Sequence, residues 1–234
     1  MSLEKIREEL ESSGDPGGAS ILQKFFKTGP GEYGEGDVFR GVRIPILRKL
    51  SAKYHDLSLP HVEQLLHSTF HEDRMLAILI FIRRYAKGDE ATKAKVYRLY
   101  LKNRKSINNW DLIDVSAAHI VGAFLWDKDR GMIHRLAQSN SLWDRRIAII
   151  STFYFIRRGE FDETLAIARM LLLDTEDLIH KATGWMLREV GNRNLQVEED
   201  FLRAHYNQMP RTMLRYAIEK FPDERRKRYL KGEV

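Results

Sequence analysis

The sequence predicts an all-α fold of the α-solenoid type, and three observations carry that prediction. Helical periodicity runs through the chain after residue 40, and no segment shows the alternation of a half-buried strand. Residues 74–84 and 145–158 are apolar nearly all round and bounded by charge, as helices buried on every side are. Ala77, Ala148, Ala182 and Ala217 each sit in an apolar segment, 71, 34 and 35 residues apart, so the first gap is close to two periods. A period of about 35 residues is one helix pair, the stacking unit of a solenoid. With 234 residues and 43% hydrophobic content, the chain is long enough to bury a sizeable core as one helical-repeat domain, 1–234.

In chain order, the first 40 residues differ in kind, holding seven of the 15 glycines, at 14, 17, 18, 29, 31, 34 and 36. Between the two glycine groups, residues 21–27 read as a short amphipathic helix. Gly29 to Gly34 matches G-x-G-x-x-G, but Pro30 lies inside it, no buried strand precedes it and no βαβ unit follows. Residues 28–37 are therefore expected to form a glycine-rich loop or short hairpin. Pro45 suits the first turn of the next helix. A further helix is expected to open at Trp110 with Asn108 or Asn109 as its cap and to run through the apolar stretch to residue 125.

Composition bounds the function. The chain has no cysteine, which excludes disulfides, thiolate catalysis, zinc knuckles and iron–sulfur clusters. No apolar run approaches the ~18 residues of a membrane span, and the charged N-terminus does not read as a secretory signal, so a cytoplasmic location is expected. Thirty-nine Lys and Arg against 33 Asp and Glu leave a net charge of +6 and a pI near 9.4. Basic groups recur at Arg40/Arg43/Arg48/Lys49, Arg83/Arg84, Lys102/Arg104/Lys105, Arg157/Arg158 and 225–228, spacings compatible with a track of phosphate contacts or with solvated helix ends.

The candidate chemistry centres on Trp110 and Asp114. Four residues apart on one helix, an indole and a carboxylate share a face and suit a cationic or electron-poor partner. The alanine series lapses at about residue 113, beside Asp114, where a carboxylate replaces a small packing residue. The competing role for Asp114 is to face the helix N-terminal dipole. Arg146, two residues before a repeat alanine, suits either an acidic partner or a phosphate. Trp185 and Arg188, three apart, offer a second indole and a second cation on one face, and Gly184 beside them signals a close helix approach or a ligand. His67 and His71 have metal-ligand spacing with His61 nearby, but no Glu or third ligand completes a set; they read as exposed helix-end histidines, and no metal is expected.

Taken together, Trp110-x-x-x-Asp114, the Arg146 helix and Ala182-x-Gly-Trp185-x-Leu-Arg188-Glu resemble the signature of the HEAT-like-repeat DNA alkylation-repair family of alkylpurine glycosylases, over about residues 20–225. The resemblance implies a C-shaped solenoid of about six helix pairs with a basic concave face for duplex DNA, damaged or branched. It implies that Asp114 is the catalytic aspartate, that Trp110 and Trp185 meet the lesion with Phe25 near them, and that Arg146 and Arg188, with Arg40 and Arg43, contact the backbone. It implies a monomer, without cofactor, associated with the nucleoid and hydrolysing the N-glycosidic bond of N3- or N7-alkylated purines. The long 28–37 segment is more similar to relatives that carry a DNA-touching hairpin, some without base excision, so a non-catalytic binder of branched or distorted DNA is the alternative. A protein-interaction solenoid is a third.

Overall fold

The computed structural model describes residues 3–234, and among them the regular structure is all helical, with no strand. None of its helices is long and apolar enough to cross a membrane. The chain divides into two compact units, Met1–Ser116 and Ala117–Val234.

The first unit contains α1 (Leu3–Ser12), α2 (Pro16–Phe25), α3 (Ile44–Lys53), α4 (Leu59–Leu66), α5 (His71–Lys87), α6 (Glu90–Lys102) and α7 (Trp110–Asp114). Helix α5 is its axis. Residues Met75 to Phe81 are all buried because α1, α3, α4, α6 and α7 cover α5 from every side, which explains a sequence apolar all round. Full burial of each such Leu, Ile or Phe is worth about 1.5–3 kcal/mol. Helix α2 begins five residues before the expected 21–27 segment and takes in Gly17 and Gly18 of the first glycine group, because Asp15 caps it, accepting from the Gly17 and Gly18 amides at 3.2 and 3.0 Å, and Pro16 stands at its first turn. Pro45 likewise opens α3.

Residues 28–37 form successive turns rather than a hairpin. Gly31 and Gly36 take φ of 76° and 83°, a region costly for any side chain. Beyond them, an isolated parallel bridge joins Val38 to Phe70. Behind it, the Glu72 carboxylate accepts from the amides of Arg40, Gly41 and Val42 at 2.9, 2.7 and 3.2 Å, fixing the 40–42 backbone to α5.

The second unit contains α8 (Gly131–Ala137), α9 (Leu142–Ser151), α10 (Phe153–Ile156), α11 (Asp162–Met170), α12 (Asp177–Gly191), α13 (Leu195–His205), α14 (Arg211–Ala217) and α15 (Asp223–Lys231). Gly184 does mark a close approach: a Cβ there would lie 2.3 Å from the Met213 carbonyl oxygen of α14. The repeat alanines Ala77, Ala148, Ala182 and Ala217 fall in α5, α9, α12 and α14, each no more than 1% exposed.

Helix α13 carries the least comfortable group of this unit. Glu198 is buried, one of its carboxylate oxygens has no hydrogen-bond partner, and burial with the neighbouring Glu199 charge pushes its carboxyl up to about 8 against the opposing pull of Arg188. From the ordinary value of 4.5 up to about 8, the unfolded chain ionises Glu198 while the folded chain keeps its proton. Stability therefore falls by about 1.4 kcal/mol per pH unit over that window from this group alone. Glu198→Gln keeps the shape and removes the titration. Its gain in Tm over the unaltered protein should be small at pH 5 and clear at pH 8, and equal differences at both pH values would contradict the assignment.

Candidate functional site

Helix α7 is five residues long, too short to persist unaided. Its start is capped by Asn109, whose side-chain oxygen accepts from the Trp110 amide at 2.8 Å. Its α-geometry ends after Asp114, where Ser116 turns its hydroxyl back to the Leu112 carbonyl at 2.6 Å and also bonds the Tyr100 hydroxyl at 2.9 Å. The single helix expected from Trp110 to residue 125 is thus broken: a turn at 115–116 is followed by a π-helical segment, Ala118–Gly122. In the second unit, Gly122 sits so close to α9 that a Cβ would lie 2.1 Å from the Ser151 carbonyl oxygen, a contact the wider π-turn accommodates.

Leu112 and Ile113 fill the packing slot at which the alanine series lapses, both fully buried. Asp114 lies beside that slot, half-buried, as do Trp110 and Asp111. The charge of Asp114 is felt inside the unit, where it adds to the burial that raises the Tyr100 phenol above its ordinary value.

The Trp110 indole is held on several sides. It stacks on Phe26 with centroids 5.3 Å apart and meets Phe25 edge-on at 6.0 Å. Its N–H donates to the Tyr33 hydroxyl at 3.3 Å, and that hydroxyl donates to the Phe25 carbonyl at 3.3 Å. The glycine-rich segment therefore seats a tyrosine on the indole. From Phe26 the stacking continues to Phe39 at 5.1 Å, and from Phe39 to His71 at 4.7 Å.

His71 overturns its sequence expectation: it is 3% exposed, not a solvated helix-end histidine. The 37–39 segment folds over the start of α5, so that the His71 amide donates to the Val38 carbonyl at 2.8 Å. The imidazole Nδ1 lies 3.2 Å from Asp37 and Nε2 lies 2.9 Å from Asp111. Asp37 also accepts from Arg74 at 2.6 Å and from Asn109 at 3.1 Å. Burial alone would lower the imidazole pKa, but the hydrogen bonds to Asp111 and Asp37 outweigh it, and the group is raised above the ordinary histidine value. Asp37 is held below the carboxylate range: burial opposes this, while the His71 hydrogen bond and the Arg74 charge prevail.

A cavity of about 620 Å³ opens beside this cluster, with Phe25, Phe26, Phe39, His71 and Asp111 in its wall and Arg43 at its edge. Phe25 is 60% exposed there. Trp110, Asp114 and Phe25 are thus brought to one region of the first unit. Arg43 is exposed at the start of α3. Arg40 serves the fold instead, bonded to Asp73 at 2.8 Å, paired with Glu11 and lying 3.6 Å over the Phe70 ring.

The other predicted residues belong to the second unit. Trp185 is partly buried, donates to Glu189 at 3.2 Å and has its ring 5.9 Å from Phe153. Arg146 is 5% exposed and donates to the Leu178 carbonyl, and Arg188 is paired with Glu219. Sequence reasoning passed over Phe26, Tyr33, Asp37 and the structural part of His71 and Asp111. A usable signal was the aspartate that closes the glycine-rich segment, since a carboxylate ending a loop needs donors on its neighbours.

A family profile described as "DNA alkylation repair enzyme" matches residues 6–221. The chain belongs to the DNA alkylation repair enzyme family, which gives it a role in DNA repair with DNA as its substrate. Among solved structures it is similar to a predicted DNA alkylation repair enzyme from Enterococcus faecalis, with a TM-score of 0.70 at 16% identity, covering 90% of this chain and 98% of that one. At that identity the likeness concerns the fold. No curated protein matches the chain.

Because His71 is protonated more readily folded than unfolded, its pairing stabilises the fold fully below the ordinary histidine value, and that stability is lost as pH rises through the raised folded value. His71→Gln should cost roughly 3–5 kcal/mol at pH 6, having removed one partner of a buried charge pair. Chemical denaturation at pH 6 and pH 9 should show the gap between variant and parent narrowing at the higher pH. A gap that widens would mean that His71 is neutral in the fold.

Proposed function

We propose that this protein is a DNA glycosylase that hydrolyses the N-glycosidic bond of cationic N3- or N7-alkylpurines in duplex DNA. The observation that carries the reading is a half-buried carboxylate, Asp114, on the same short helix and face as an indole anchored by Phe26 and Tyr33. An alkylated purine of this kind leaves as a neutral base because it already bears a positive charge. Departure therefore needs no general acid, unlike sugar hydrolysis with its two carboxylates. As the bond lengthens, positive charge passes to the deoxyribose, where Asp114 stabilises the oxocarbenium-like centre and accepts a proton from the attacking water.

Trp110 supplies a ring face to the cationic nucleotide, an interaction worth about 0.5–2 kcal/mol according to desolvation. Phe25, exposed beside it, adds apolar surface. Arg43, exposed at the start of α3, is assigned to the backbone in this reading, whereas Arg146 is buried on the Leu178 carbonyl and Arg188 is paired with Glu219. No cofactor enters the reaction, since both the leaving group and the nucleophile are handled by this chain's own groups.

The second reading, a non-catalytic binder of branched DNA, is favoured by one contact: the 28–37 segment places Tyr33 on the Trp110 N–H. In that case the segment, rather than Asp114, would govern recognition. Release of 7-methylguanine from methylated duplex separates the two. Asp114→Asn should lower release by about 100-fold or more, as loss of a charge-stabilising group does, with duplex binding nearly intact. Full release by that variant would refute the mechanism. No release by the unaltered protein, together with preferential junction binding that disappears when residues 29–36 are shortened, would establish the alternative.

A further inference from the structure

Folding sorts the basic clusters of the sequence into two kinds. Arg40, Arg74, Arg145, Arg188 and Arg225 are committed to carboxylates, those of Asp73, Asp37, Asp174, Glu219 and Glu199. Arg157 and Arg158 are both exposed and, among the described residues, neither forms an ion pair. They follow α10, a helix of a single turn whose dipole is too small to account for two adjacent cations.

Aromatic rings hold these guanidiniums instead, and Arg158 also donates from one Nη to the Tyr154 carbonyl at 3.1 Å, leaving its other donors for a ligand. Arg157 lies 4.1 Å over Phe153, and Arg158 lies 3.5 Å over Tyr154 and 5.3 Å from Trp126. Phe153 in turn stands 5.9 Å from Trp185. A guanidinium on a ring face loses little of its hydrogen-bonding edge, because its donors lie in its own plane, and the ring restricts its motion before any ligand arrives. Two cations thus oriented, unneutralised and exposed beside partly buried rings are suited to an anion with repeated charge and planar groups.

We infer that Arg157 and Arg158, carried on Phe153 and Tyr154, form a phosphate-binding patch of the second unit that contacts successive backbone phosphates of DNA. The choice of DNA over another polyanion rests on the repair role. The patch does not rest on base excision by Asp114, so the two readings fail separately.

The test is equilibrium binding of a labelled 21-bp duplex, with a matching single strand and an RNA duplex, from 50 to 300 mM KCl. The Arg157→Gln/Arg158→Gln double variant should bind duplex DNA at least tenfold more weakly at 100 mM salt. The slope of log K against log salt should become shallower by about 1.8, at ~0.9 for each phosphate that is no longer neutralised. Arg157→Lys/Arg158→Lys should retain the slope while losing part of the affinity, which separates charge from ring support. Arg226→Gln, which removes a cation paired with Asp223, should change the slope little. Unchanged affinity and slope in the Gln double variant would overturn the inference, as would an equal change from Arg226→Gln. A loss confined to RNA or to single strands would overturn the assignment to duplex DNA. Circular dichroism melts of each variant confirm folding, and because the replaced side chains are on the surface, the Tm should be unaffected.

Discussion

The first unit depends on one buried electrostatic arrangement, a histidine between two aspartates. His71 begins the central helix α5, Asp37 ends the glycine-rich segment and Asp111 lies in the first turn of α7, so a single imidazole joins three pieces of chain distant in sequence. With Arg74 the group sets two carboxylates against a guanidinium and an imidazole whose affinity for a proton they raise. That balance is what makes burial tolerable, because any one of these charges left alone in the interior would cost several kcal/mol. It also explains why Asn109 spends both ends of its side chain here, the oxygen on the helix start and the nitrogen on Asp37. A five-residue helix has almost no stability of its own. Its position is set by this tether and by the burial of Leu112 and Ile113.

The orientation of the candidate site follows from that constraint. Fixing Asp37 fixes the end of the glycine-rich segment, and the turns that precede it bring the Tyr33 hydroxyl to the Trp110 N–H. Phe26 and Phe39 then fill the space between the indole and the imidazole as a continuous stack. The indole is thus oriented before a ligand arrives, which is the condition under which an aromatic face and a nearby carboxylate contribute most to binding and to transition-state charge.

Much of the fold was legible in the sequence because burial on all sides leaves a plain signature. Helix α5 was recognised from an apolar run without a polar face, and the alanines at 77, 148, 182 and 217 do fall at buried helix positions. Pro45 and Gly184 act locally, through first-turn geometry and close approach, so their effects could be read from neighbouring residues, whereas the Asp15–Pro16 start of α2 was hidden in a glycine-rich stretch. What could not be read depended on partners across long separations. His71 looked like a solvated helix end because its partners lie 34 and 40 residues away. Arg40 and Arg157 look alike in sequence, yet one is spent on Asp73 and the other rests on a ring. Charge counting does not reveal which cations remain available; only the positions of the carboxylates do.

The same long-range pairings bear on which carboxylate in α7 is suited to chemistry. Asp111 and Asp114 are about one helical turn apart, and the sequence separates them only by the spacing that puts Asp114 on the Trp110 face. Asp111 is committed at both oxygens, one to the His71 imidazole at 2.9 Å and one to the Leu112 amide at 2.8 Å. A carboxylate so engaged is a poor base for water and a poor counter-charge for a sugar, since both of its oxygens already accept hydrogen bonds within the fold. Asp114 lies outside the histidine cluster, one turn along from the anchored indole. The buried histidine thus draws one of two neighbouring aspartates into the fold: Asp111 ties the start of α7 to α5, and Asp114, further along the same helix, shares a face with the anchored indole.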